Sequence, residues 1–126
     1  MMINEVFGWS WILCGFLSGT IIGLKFHNEE WMGGYGSHQR RLIRLGHISF
    51  VGLGILNILF SYSIPRVNLF PPLLSIVSIA FIVGGVTMPL SCGLLAWKKR
   101  FHFMFFIPVS SLILATVLTI WGLLRI

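Results

Sequence analysis

Acidic side chains are almost missing from this chain. There is no aspartate, and the glutamates are Glu5, Glu29 and Glu30, none of them within a long apolar run. This leaves a carboxylate proton relay through a membrane unsupported, and Ser/His/Asp nucleophilic chemistry lacks its acid. Charge of either sign is scarce: charged residues make up 10% of the chain, against roughly 25% in a soluble domain. Such a chain cannot cover itself with a polar surface, so hydrocarbon is its expected solvent. Cysteine is equally sparse. Cys14 and Cys92 both fall inside apolar runs, so neither reads as part of a disulfide framework. There is no Walker loop, no dinucleotide-binding glycine fingerprint, no zinc-spaced cysteine pairs and no HExxH. No basic segment precedes the first apolar run, as a cleaved signal peptide requires, so that run is expected to stay as a helix.

What the sequence does have is apolar length. Four runs predict helices over about 7–26, 42–62, 69–97 and 101–124, each near or above the roughly 20 residues that cross hydrocarbon. The connections between the second and third runs and between the third and fourth are short, which makes those neighbours antiparallel. The expected fold is therefore all-α, an integral membrane four-helix bundle, up-down-up-down, in a single domain over 1–126. The 27–41 connection is glycine-rich and is read as a loop. Pro89 lies inside the third run and predicts a kink near Gly84 to Pro89.

The net charge of +6 sits at helix ends. Lys25, Arg40, Arg41, Arg44, Lys98, Lys99 and Arg100 flank two connections on one side, while Arg66 and Arg125 lie on the other. The positive-inside rule then places loops 27–41 and 98–100 in the cytoplasm and both termini outside, as in a bacterial inner membrane. The same pattern suits anionic lipid headgroups and argues against nucleic acid as a partner.

Within the runs, Gly15, Gly19 and Gly23 recur every fourth residue, with Gly8 one heptad further back. In a membrane such a stripe lets another backbone approach closely, within the bundle or between protomers. The run 42–62 has its own small and polar face: His47, Gly54 and Ser61 at seven-residue intervals, with Asn57 on the same side. Lipid cannot satisfy Asn or His, so this face is expected to turn into the bundle.

All four histidines (His27, His38, His47 and His102) fall on the predicted cytoplasmic side, with Met88 and Cys92 on one helical face at similar depth. Two cofactor chemistries follow. His47 and His102 are candidate axial haem ligands, with Arg40, Arg41 or Arg44 meeting the propionates. Met88 and Cys92, completed by His47, make a candidate soft-metal site. The plainer alternatives are an interfacial histidine bonded to a headgroup or neighbour, and sulfur side chains used for packing. The four-span layout is loosely similar to small membrane cytochromes and complex subunits, with no motif specific to one family. The leading functional expectation is a non-catalytic membrane protein that packs against other membrane chains, or itself, as a subunit or assembly factor. A cofactor-binding electron-transfer protein is the rival.

Overall fold

A computed structural model describes every residue except Met1, Phe26, Tyr35 and Ile126, together with the side chains of all the described residues but Met32 and Lys99. It contains four long helices: α1 (Met2–Lys25), α2 (His38–Ser63), α3 (Pro71–Trp97) and α4 (Phe106–Leu124). Each lies in a helical segment long and apolar enough to cross a membrane, and no strand occurs among the described residues. The all-α, four-helix bundle is thus as expected.

The helix ends differ from the sequence reading, for physical reasons. α1 starts at Met2, not Phe7, because Asn4 is not a solvated flank: it is fully buried among the helices. α2 starts at His38, not Leu42. Ser37 caps it, its hydroxyl accepting the Arg40 N–H at 3.1 Å, so the cationic collar itself is helical. α4 starts at Phe106, not Phe101, and a 3-10 segment over Lys99–Phe105 precedes it. Pro108 explains this: it has no N–H for the Met104 carbonyl and its ring crowds that group, so the preceding turns tighten. α3, in contrast, stays helical from Pro71 to Trp97 with Pro89 inside it.

Neighbouring helices pack in chain order: α1 on α2, α2 on α3, α3 on α4. The Tyr62 hydroxyl reaches Glu5 at 3.4 Å, and the Asn68 side chain donates to the Arg125 carbonyl at 2.8 Å. The two chain ends and the α2–α3 turn therefore share one end of the bundle. The 26–37 connection and the 98–105 segment share the other, with the seven basic residues named above.

α3 is the hub. Ten of its residues are buried, against three in α1, seven in α2 and three in α4. An apolar cluster around Phe60, Val77, Phe81 and Ala115 joins α2, α3 and α4, and a smaller one of Leu42, Leu95 and Ala96 lies toward the loops. In hydrocarbon, however, burial of apolar groups drives little association, and close packing and polar bonds between helices matter more. The polar bonds converge on α3. Its backbone carbonyls accept side-chain donors from each of the other helices: Ser78 from Asn4 Nδ2 (3.2 Å), Phe81 from Asn57 Nδ2 (3.3 Å), Ala80 from Ser111 Oγ (2.6 Å) and Gly85 from Trp11 Nε1 (2.7 Å).

The buried polar network at the terminal end is closed on itself. Asn4 Nδ2 donates to Asn57 Oδ1 at 2.9 Å, the Ser78 hydroxyl donates to Asn4 Oδ1, and Asn57 Nδ2 also reaches the Leu53 carbonyl at 2.9 Å. Each such interhelical bond contributes about 0.6 kcal/mol on average and up to ~1.7. The bond from Trp11 has a particular role. Pro89 has no N–H to return to the Gly85 carbonyl four residues earlier, and the indole of a different helix supplies the donor.

Candidate functional site

The glycines of α1 divide by what lies over them. A Cβ on Gly8 would fall 2.5 Å from the Gly54 carbonyl oxygen of α2, and a Cβ on Gly54 would fall 2.7 Å from the Gly8 carbonyl oxygen. The two backbones cross there in direct contact. Further along, a Cβ on Gly15 would meet Val51 at 2.5 Å and one on Gly19 would meet the His47 ring at 2.6 Å. Gly23 has nothing within 4 Å. The stripe thus faces α2 down to Gly19, after which that face of α1 opens.

His47 sits at the point where contact ends. Its ring lies over Gly19, and its Nδ1 is 3.2 Å from the Ser18 hydroxyl. It is half-buried and turned toward α1. His102 is exposed, on the 3-10 segment that leads into α4, where it lines a cavity with Phe105, Phe106 and Val109. That cavity shares no lining residue with either of the two beside His47. Both histidines lie in the loop-side half of the bundle. They line separate cavities, and α4 packs chiefly on α3.

The other candidates are placed as follows. The Arg40 guanidinium is buried and donates to the carbonyls of Trp31 (2.7 Å) and Asn28, stacking over the Trp31 ring at 5.7 Å. It organises the 27–37 connection, which turns through Gly33 and Gly34 at positive φ. Arg41 is exposed, and Arg44 is half-buried beside His47. Cys92 is buried in the α2–α3 seam, its Cβ 3.3 Å from where Gly46 would carry one, and Met88 is half-buried on α3. Among the described residues, no group of three or more His, Cys, Asp or Glu side chains gathers as a metal site would require. The placement gives no support to haem ligation.

What the arrangement does create is a groove. α1 is tied to α3 through Asn4 and Trp11, where Trp11 also stacks on Phe7 (4.5 Å) and meets Phe50 of α2 (5.4 Å). Toward the loops α1 and α3 part, leaving a cavity of about 370 Å³. Leu42, Ile43, Gly46 and Phe50 of α2 form its floor. Ser18 and Ile22 of α1 form one wall, and Val86, Pro89, Leu90 and Gly93 of α3 form the other. Trp11 closes the inner end. A second cavity of about 320 Å³, lined by Gly19, Gly23, Arg44 and Ile48, adjoins it, and His47 and Ile22 line both.

Sequence reasoning missed Trp11 and Asn4. The available signal for Trp11 was Pro89 itself: a proline inside a helix names the carbonyl four residues back as needing a donor. Asn4 was hidden by its neighbour Glu5, which made the segment look solvated. No family model, curated protein or solved structure matches the chain. Fold and composition together define its class: a small four-span bundle with the character of a polytopic membrane protein.

Proposed function

We propose that this protein is non-catalytic and works by helix packing, as a subunit or assembly factor of a membrane complex. The polar side chains Asn4, Trp11, Asn57, Ser78 and Ser111 are engaged in bonds that hold the bundle's own helices together. His47 fits the same pattern, wedged between Ser18 and Gly19.

The observation that carries the reading is on the free side of α2. Leu45, Ile48, Ile55 and Leu59 form an exposed stripe along the helix, and Gly52 at its centre has nothing within 4 Å of a would-be Cβ. Gly54, two residues on, is needed for the bundle's own crossing, whereas among the described residues nothing lies over Gly52. A glycine in an otherwise aliphatic lipid-facing stripe suits the close approach of another helix, from a different chain or a second copy. In this reading the seven basic residues hold the loops in the cytoplasm and both termini lie outside.

The test is Gly52→Leu. The substitution has room, so the variant should fold and insert as the parent does, while the chain that co-purifies with the parent from native membranes is lost. Association that survives Gly52→Leu, or a parent protein that associates with nothing, overturns the proposal.

A further inference from the structure

The groove between α1 and α3 shares no lining residue with the α2 stripe, and of the adjoining cavity only Ile48 belongs to it. Its volume, about 370 Å³, lies in the range of small-molecule sites, roughly 300–1,000 Å³. Its walls are apolar along the length, with Ser18 and His47 as the polar lining groups. From Ile22 near the mouth to Trp11 at the closed end is eleven residues of α1, or about 16 Å at about 1.5 Å per residue. That is about half of the ~30 Å hydrocarbon core, the depth of one leaflet. A transmembrane helix cannot lie through the groove, because the Trp11–Gly85 bond ties α1 to α3 across its inner end. A hydrocarbon chain entering from the loop side has the length to fill it and needs to go no further.

The mouth is cationic. Arg44 and His47 line the adjoining cavity, and Lys25 ends α1 three residues after Ile22. Among the described residues no carboxylate lines either cavity: Glu5 is at the opposite end near Tyr62, and Glu29 and Glu30 are exposed in the connection. Basic pockets between spans on the positively charged side of a membrane protein recruit anionic headgroups.

We propose that this groove binds one anionic phospholipid of the loop-side leaflet, an acyl chain lying between α1 and α3 with its end against Trp11 and the phosphate held at Arg44 and His47. The bound lipid completes the surface where α1 and α3 part, filling with hydrocarbon a wall that the chain leaves open.

Native mass spectrometry tests this on the whole protein, released from nanodiscs of equal parts phosphatidylglycerol and phosphatidylcholine with matched acyl chains. The parent is expected to retain one lipid, with phosphatidylglycerol favoured. Arg44→Gln removes a cation without touching the groove, so lipid is still retained but the preference falls about fivefold, the scale of one basic side chain near an anionic surface. Gly93→Phe has open space for its side chain and lines the groove, so it displaces both lipids alike. Gly52→Leu, on the far face of α2, leaves lipid retention unchanged, which separates this proposal from the packing reading. Thermal unfolding in micelles verifies that each variant is folded. A parent that retains no lipid, equal retention of the two headgroups, or folded Gly93→Phe protein that keeps its lipid each overturns the proposal. So does a co-purifying polypeptide, in place of lipid, that Gly93→Phe releases.

Discussion

The pairing of Trp11 with Pro89 makes a quantitative prediction. In the parent, the Gly85 carbonyl has no helical donor at position 89 and takes the Trp11 indole at 2.7 Å. Trp11→Phe removes that donor while keeping an aromatic ring against Phe7 and Phe50. An unpaired buried carbonyl costs about 1–3 kcal/mol, and polar bonds between membrane helices fall toward the lower part of that range, at most ~1.7. The expected loss is therefore about 1.5 kcal/mol, including a few tenths for the smaller ring. In a Pro89→Ala background, the backbone N–H gained by the substitution restores the helical bond to Gly85, and the indole is no longer needed. The same Trp11→Phe change should then cost only about 0.5 kcal/mol, what remains when the polar contribution is removed. The coupling between the two sites is thus about 1 kcal/mol. Reversible unfolding of the four proteins in mixed micelles, by denaturing detergent or steric trapping, measures it. If the two substitutions add to within about 0.3 kcal/mol, as independent sites do, the indole is not compensating for the proline and the reasoning fails.

Other outcomes follow from the glycine contacts, the histidines and the charges. Gly54→Ala should destabilise the bundle by about 1 kcal/mol in the same assay, since overpacking against the Gly8 carbonyl, about 2 kcal/mol, outweighs alanine's better helix propensity of about 1 kcal/mol; a variant more stable than the parent would mean that α1 and α2 do not cross there. His47→Ala should loosen the loop-side half of the α1–α2 seam, read as faster amide exchange at Gly19 and its neighbours, with no change in the visible spectrum. A visible absorbance band in the parent that disappears in His47→Ala would restore the haem reading. Reporter fusions at the two termini should both signal an external location, and a cytoplasmic C-terminus would overturn the proposed orientation.

The long apolar helices were legible in the sequence because hydropathy and length act locally, and Ser37 or Pro108 move a helix end by a turn without changing which segments are long and apolar enough to cross a membrane. The helix-facing reading of Asn57 was also within reach, since lipid offers it no partner, and the structure finds it fully buried. The azimuth of each helix was not legible. His47 and His102 fall at comparable depth from hairpin order alone, but which way each faces depends on how α4 seats on α3, and that is set by contacts such as Leu112 against Gly84 and Ser111 to the Ala80 carbonyl. Arg40 was unreadable for a related reason. Among three neighbouring arginines, the one whose guanidinium folds back onto Trp31 and Asn28 is selected by the path of the connection, not by composition.

The four side-chain bonds onto the α3 carbonyls also carry a consequence for the order of synthesis. When Ser63 leaves the ribosome, α1 and α2 already possess what they need to pair: the Gly8–Gly54 crossing and the Asn4–Asn57 bond. Asn4, Trp11 and Asn57 must then wait for acceptors on a helix not yet made. The end of α3, Trp97, follows 34 residues later, about 2–7 s at about 5–20 residues per second. During that interval the nascent hairpin holds an indole N–H without its acceptor and two amides, bonded to one another but not yet to α3, a time when a chaperone or insertase has polar groups to hold that the finished bundle withdraws.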